Sequence, residues 1–408
     1  MKTSDFEYPL PRELIAQQPA PDRAGSRMLI VHRDTGMLDH RQVADLPDLL
    51  QPGDLLVVND TRVIPARLFG RKARTGGQVE VLLIEELIDS AKEPAVVRHG
   101  MTQRRTPPRL RSGQAGGATV PPPLPDSLPL PAAIQSPPSS DAMNIYTSLW
   151  EALVKASRPP AAGAFLELAG GRIRAEVLTR HGNGRVLLRL THDRPLMKIL
   201  DQEGVPPLPP YIKRSPDTVN VKQTATDRNR YQTVYAQVPG AIAAPTAGLH
   251  FTPELLERLE RRGIERAAVT LHVGLGTFKP VTTDTIEAHQ MEPERYDVSA
   301  AAVQHIIKTQ RQQGRIIAVG STVVRTLETI AAEHGAMTPA KGRSRLFIHP
   351  PYSFRVVQAM LTNFHLPAST LLMMVSAFAG QDLIRHAYET AIRERYRFYS
   401  YGDCMLIL

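Results

Sequence analysis

The sequence predicts an α/β main domain interrupted by a small β-barrel domain, and three observations carry that expectation. Buried-looking strands end in polar clusters that run straight into helices, as at Arg315–Val319 followed by Gly320, Ser321 and Thr322. Short strands separated by glycine turns, at Ala164–Leu168, Ile173–Thr179 and Val186–Leu190, read as a barrel. Between these patterns the chain stiffens at Pro206–Pro210, where it returns to the main body. The boundaries expected are 1–66 and 206–408 for the main domain and 67–205 for the insertion.

The 408 residues suffice for two domains, and a hydrophobic content of 42% supports ordinary cores. Lysine plus arginine (49) against aspartate plus glutamate (40) leaves a net charge of +9, which suits an acidic partner such as nucleic acid. A single cysteine, Cys404, excludes an internal disulfide and a multi-cysteine metal or iron–sulfur site, and points to a reducing cytoplasm. The amino terminus lacks a signal-peptide core, and the apolar run Leu366–Gly380 is too short for a bilayer, so a buried helix is expected there and no membrane span.

In chain order, Met1–Arg27 reads as an extended lead-in with a short helix, whose Arg23 and Arg27 either share an anion or are solvated. Leu55–Asn59 is a buried strand that breaks into Asn59-Asp60-Thr61-Arg62, a cluster that binds ligand or turns the chain. Val79–Ile84 is a strand. From Pro94 to Pro138 eleven prolines occur with no sustained hydrophobic period, so residues 90–142 are expected to be a disordered insertion within the barrel domain.

The best-signalled helix starts at Thr252-Pro253-Glu254, where a cap, a proline at the first helical position and an acid at the positive end coincide, and stops at Gly263. Leu255, Leu256 and Leu259 give it one apolar stripe. A strand at Ala267–Val273 follows and ends in His272-Val273-Gly274-Leu275-Gly276, where backbone amides can approach a ligand. Loop glycines serve turns more often than ligands, and Lys279 stands where a dinucleotide fingerprint needs its third glycine. Ser299 caps a helix running to Gln313 and ended by Gly314. The next helix carries Val324, Leu327 and Ile330 inward and begins at a loop suited to a carboxylate or phosphate. Arg355–Leu361 is a further strand, followed by Thr362-Asn363-Phe364-His365, and the aromatic closing stretch Tyr396–Tyr401 either stacks on bases or packs on the sheet.

Taken jointly these segments resemble one family, the S-adenosylmethionine:tRNA ribosyltransferase-isomerases of queuosine biosynthesis. The residues that carry the likeness are Asn59–Leu68, Leu208–Ile212, Tyr231–Ala236, Ala244–Phe251, Leu271–Phe278, Leu361–Pro367 and Tyr399–Asp403, in the family's order, with the proline-rich stretch falling outside. The resemblance implies transfer and isomerisation of the ribosyl part of S-adenosylmethionine onto 7-aminomethyl-7-deazaguanine in tRNA, giving epoxyqueuosine-tRNA, adenine and methionine. It implies that S-adenosylmethionine is a consumed substrate, with no cofactor and no metal, and that the protein works as a monomer.

Carried onto these motifs, the likeness offers His250, Glu294 and His365 as catalytic candidates. It offers Asn59, Arg62, Thr246, Gly248, His272, Gly274, Gly276, Thr322, Arg325 and Asn363 as substrate-binding ones. The base that starts the reaction is His250 or Glu294; the methionine carboxylate is held by Arg325 or by the Gly320–Thr322 helix start; His365 orients ribose hydroxyls or is a core histidine. Glu292, Pro351 and Gln358 stand where the family commonly has histidine, glycine and aspartate, so no role passes to them. Two rival classes are a methyltransferase, which yields S-adenosylhomocysteine, and a tRNA-binding protein without catalysis.

Overall fold

The computed structural model describes residues 1–87, 145–214, 221–274 and 280–408. The proline-rich stretch expected to be disordered lies outside the described residues. Strands β1 (Arg27–Val31) and β2 (Leu38–Gln42), helix α1 (Leu46–Leu49), and strands β3 (Leu55–Asn59) and β4 (Thr61–Val63) come first. Six strands follow: β5 (Arg67–Lys72), β6 (Gln78–Glu86), β7 (Tyr146–Lys155), β8 (Phe165–Leu168), β9 (Ile173–Arg180) and β10 (Arg185–His192). Then come α2 (Leu196–Glu203), α3 (Val221–Arg230), β11 (Val238–Ala241), α4 (Pro253–Arg261), β12 (Glu265–Leu271), β13 (Glu294–Val298) and α5 (Ala300–Arg311). The chain closes with β14 (Ile316–Val319), α6 (Ser321–His334), β15 (Ala340–Ser344), β16 (Ala359–Asn363), α7 (Thr370–Ala379), α8 (Gln381–Arg393) and β17 (Cys404–Ile407).

Nine strands form one mixed sheet in the order β15-β13-β12-β3-β14-β16-β17-β1-β2. Its centre, β12-β3-β14-β16, is parallel, and β3 and β14 are buried at every residue. A strand covered on both faces must be apolar on both, which is why Leu-Leu-Val-Val and Ile-Ile-Ala-Val read as unbroken hydrophobic runs. Alternate residues serve separate cores: Leu55 and Val57 pack with Val303, Leu327 and Met374 on one side, Leu56 and Val58 with Leu46, Leu255 and Leu259 on the other. Helices α5 to α8 therefore cover one face, and α1 and α4 the other.

Strands β5 to β10 close into a barrel in the order β10-β7-β6-β5-β8-β9. Here burial alternates along the strand, as in β10, because one face meets the barrel core and the other meets solvent. Val81, Leu166, Ile173, Val177, Leu188 and Leu190 fill the interior. The chain enters at Arg67 and leaves at Val205, and those two residues exchange backbone hydrogen bonds of 3.2 and 2.9 Å. Two ion pairs tie barrel to body, Arg185–Glu292 at 2.7 Å and Arg343–Glu85.

Helix α4 starts where its signals place it, with the Thr252 hydroxyl accepting from Leu255 N at 3.2 Å. The short helix of the lead-in is present as two 3-10 helices, Thr3–Phe6 and Arg12–Leu14. Several other expectations are corrected. Arg23 and Arg27 do not converge on an anion: Arg23 donates to the carbonyls of Leu249 and Asn229, and Arg27 lies 3.8 Å over the Tyr396 ring. Helix α5 stops at Arg311, with Gln313 taking the left-handed conformation (φ 60°) in place of Gly314. The strand expected over Arg355–Leu361 begins only at Ala359, because the buried Glu328 carboxylate accepts from the amides of Arg355, Val356 and Val357 and removes them from any ladder. The strand expected over Ala267–Val273 lies two residues earlier, as β12. The apolar run after Leu366 is the buried helix α7, capped by Ser369, and among the described residues no helix is long and apolar enough to cross a membrane.

Candidate active site

Because β12, β3, β14 and β16 run parallel, their carboxyl ends, Leu271, Asn59, Val319 and Asn363, lie along one edge of the sheet. That edge is where open α/β sheets hold ligands. A cleft of about 60 Å³ opens there. At ~10–15 Å³ for each water-sized occupant it encloses a fragment such as a carboxylate or a sugar edge. Gly320, Ser321 and Thr322 form one side, Thr362 to Leu366 another, and Tyr211, Tyr399 and Ser400 a third. No lysine, arginine, aspartate or glutamate is among the described residues that line it.

The polar groups on these walls are fixed by one another. Thr246 Oγ1 donates to Asn363 Oδ1 at 2.9 Å, and Asn363 Nδ2 reaches His250 Nε2 and the Asp403 carbonyl, each at 3.3 Å. His365 Nε2 meets Thr362 Oγ1 at 2.9 Å, while its backbone amide donates to the Tyr388 hydroxyl and its carbonyl accepts from Tyr8. Both imidazoles are buried, and burial disfavours their charged form: His365 is lowered to about 3 and His250 to about 4, the latter also repelled by Arg23 and Arg397. Two neutral rings are thus held at neutral pH, with His365 on the cleft wall and His250 one hydrogen bond behind it.

Asn59 works as a stitch. Its side chain bonds Leu271 N and O (3.0 and 2.9 Å) and Thr61 N, and Nδ2 extends to Thr322 Oγ1 at 3.3 Å. It joins β3 to β12 and touches α6, whose first turn faces the cleft. His272 lies off the cleft, its Nδ1 2.8 Å from Thr61 Oγ1, and burial with Arg295 nearby lowers it to about 4.

Glu294 and Arg325 do not reach the cleft. They form an ion pair with each other, their side chains 3% and 2% exposed, and Glu294 Oε1 accepts from Gly274 N at 2.9 Å. Arg62 is exposed on β4, and Gly248 sits in the 3-10 turn Thr246–His250 against the Tyr235 hydroxyl, where any Cβ would collide. Gly276 lies outside the described residues. Of the sequence candidates, Thr246, Thr322, Asn363 and His365 line the cleft, with His250 and Asn59 one bond away.

Sequence reasoning reached Ser321 only as part of the Gly320–Thr322 helix start, and passed over Tyr211, Tyr399 and Ser400 as site residues. Tyr211 donates to or accepts from Ser400 at 2.5 Å, and Tyr399 holds φ at +71°, a conformation that costs a bulky residue energy and occurs where surrounding structure over-determines it. The Pro-Pro-Tyr and Tyr-Ser-Tyr-Gly segments contained these residues, yet nothing local says that they meet across 189 positions of chain.

The family model for queuosine biosynthesis protein matches residues 3–119 and 124–407. The chain belongs to that family. The matched spans take in the proline-rich stretch except residues 120–123, so it does not fall outside the family as its motifs alone suggest. The family's curated members include an S-adenosylmethionine:tRNA ribosyltransferase-isomerase of Xanthomonas oryzae pv. oryzae, 47% identical over all of this chain and 97% of its own length. One of the same name from Pelobacter propionicus is 43% identical over the full length of both. A crystal structure of an S-adenosylmethionine tRNA ribosyltransferase from Thermotoga maritima is 32% identical, covering 99% of this chain and all of its own, with a TM-score of 0.48.

Proposed function

We propose that this chain is an S-adenosylmethionine:tRNA ribosyltransferase-isomerase. It transfers and isomerises the ribosyl moiety of S-adenosylmethionine onto 7-aminomethyl-7-deazaguanine in tRNA, releasing adenine and methionine and leaving epoxyqueuosine. Full-length relatives of that name at 43–47% identity support the reading. The observation on the molecule that carries it is the cleft at the carboxyl edge of the parallel strands, whose walls hold the neutral His365 imidazole and several hydroxyls, with the neutral His250 one hydrogen bond behind and no charged side chain among the described lining residues.

In this reading S-adenosylmethionine is a substrate that is used up, no resident cofactor or metal takes part, and the enzyme acts as a cytoplasmic monomer. The sulfonium acidifies the neighbouring ribose carbon, and His365 is unprotonated at neutral pH and so open to that proton, while the burial that lowers it to about 3 also makes it a weak base. His365 stands at the cleft for this step or for orienting ribose hydroxyls, with Asn363 and Thr246 fixing the sugar and His250 supporting Asn363. Glu294 is less suited to act as the base, since its carboxylate is already engaged by Arg325 and Gly274. The net charge of +9 suits the phosphates of tRNA.

Purified protein incubated with S-adenosylmethionine and tRNA bearing the aminomethyl-deazaguanine base is expected to release adenine as epoxyqueuosine appears in the nucleoside mass spectrum. S-adenosylhomocysteine in place of adenine would make it a methyltransferase. Tight tRNA binding with neither product would make it a binding protein.

A further inference from the structure

Helix α6 has fourteen residues, and its first turn forms one side of the cleft. Its N-cap is Gly320, at φ 93°, which offers no side chain to the first amides. Helices α4, α5 and α7 are each capped instead by a hydroxyl, from Thr252, Ser299 and Ser369. The amides of Val323 and Val324 turn back to the Gly320 carbonyl, while those of Ser321 and Thr322 meet no acceptor among the described residues. A second observation points the same way. Residue Ser321 is 8% exposed and lines the cleft, and its hydroxyl makes no hydrogen bond among the described residues.

We infer that the first turn of α6, with the Ser321 hydroxyl and the amides of Ser321 and Thr322, is the seat of the α-carboxylate of S-adenosylmethionine. This rests on the functional reading above and deepens it. An anion is stabilised at a helix amino end because the orphan N–H groups and the macrodipole both point at it. The alternative holder, Arg325, is committed to Glu294 and does not line the cleft. Among the described lining residues, none of which carries a cationic side chain, the amino end of α6 is the positive element. Gly320 suits the role twice over: its positive φ turns β14 into α6, and its missing side chain leaves the amides to the ligand.

The test is calorimetric binding of S-adenosylmethionine and of its decarboxylated analogue to the wild type and two variants. Wild-type protein is expected to bind the decarboxylated compound at least about tenfold more weakly, and Ser321→Ala to weaken S-adenosylmethionine about tenfold while leaving the analogue unchanged. Ser321→Asp places a carboxylate in the seat. It is expected to keep or raise the melting temperature, since an acid suits a helix amino end, and to abolish S-adenosylmethionine binding while sparing the analogue. Equal affinity of the wild type for the two compounds, or equal loss of both in the variants, overturns the inference and leaves the functional reading standing. Failure of the wild type to bind either compound overturns both.

Discussion

Two buried polar clusters share the carboxyl edge of the sheet and differ in one respect. Around His365, Asn363 and His250 the groups that hydrogen-bond one another are neutral, and those bonds run along the wall of a cleft. Around Glu294 and Arg325 both groups are charged, and each finds its counter-charge within the protein. The contrast separates two uses of polarity. A buried charge already met by its partner has little left to offer a substrate, and what it does is pin Gly274 and the start of α6 in place. A neutral, half-satisfied wall leaves its lone pairs and donors to a ligand.

The largest effect at neutral pH should come from breaking the charged cluster. Glu294→Ala takes the carboxylate away from the buried Arg325 guanidinium and is expected to cost about 3–5 kcal/mol, read by denaturant unfolding. Replacing both residues with methionine should recover most of that, and a loss below about 1 kcal/mol in the single variant would show that the pair is no anchor. An effect of opposite origin, absent at neutral pH and growing only on acidification, belongs to the neutral cluster. The folded state holds His250 and His365 near 4 and 3, whereas an unfolded histidine titrates near ~6.5, so below that pH the unfolded chain takes up protons that the folded one refuses. Stability should therefore be flat above pH ~6.5 and fall as the pH drops toward 4, by up to about 1.4 kcal/mol per unit for each histidine. His365→Asn should make that slope shallower, and an unchanged slope would mean that the ring is not held neutral. The smallest effect is expected outside both clusters: Arg185 and Glu292, a partly exposed pair, should cost no more than about 1 kcal/mol when either is neutralised.

The parts of this arrangement that were readable in advance are those whose cause is local. Strand β3 was bounded correctly because a doubly covered parallel strand must be apolar throughout and must stop at its first polar residue, Asn59. The Thr252-Pro253 start of α4 carries its own signals. The edge strands β2 (Leu-Asp-His-Arg-Gln) and β15 (Ala-Lys-Gly-Arg-Ser) were invisible, since one solvated side and a few polar residues leave no period to detect, and their partners alone make them strands. The same limit governs the site. Asn363 and His365 are legible as polar residues after a hydrophobic strand, but the pairing of Tyr211 with Ser400, and the engagement of Arg325 by Glu294, follow from contacts that only the folded chain makes.

The barrel's two junctions carry a further meaning for how this protein tolerates change in length. Strands β6 and β7 are hydrogen-bonded neighbours, and the amide of Leu87 donates to the Leu149 carbonyl at 2.8 Å, so both ends of the segment between them are clamped at one place. Once its ends are fixed, a connecting segment can lengthen or shorten at an entropic cost that grows only with the logarithm of its size. Arg67 and Val205 give the whole barrel the same property with respect to the sheet. The chain therefore nests one extendable segment within another, and lineages could trade residues at either level without moving a single strand of the catalytic sheet.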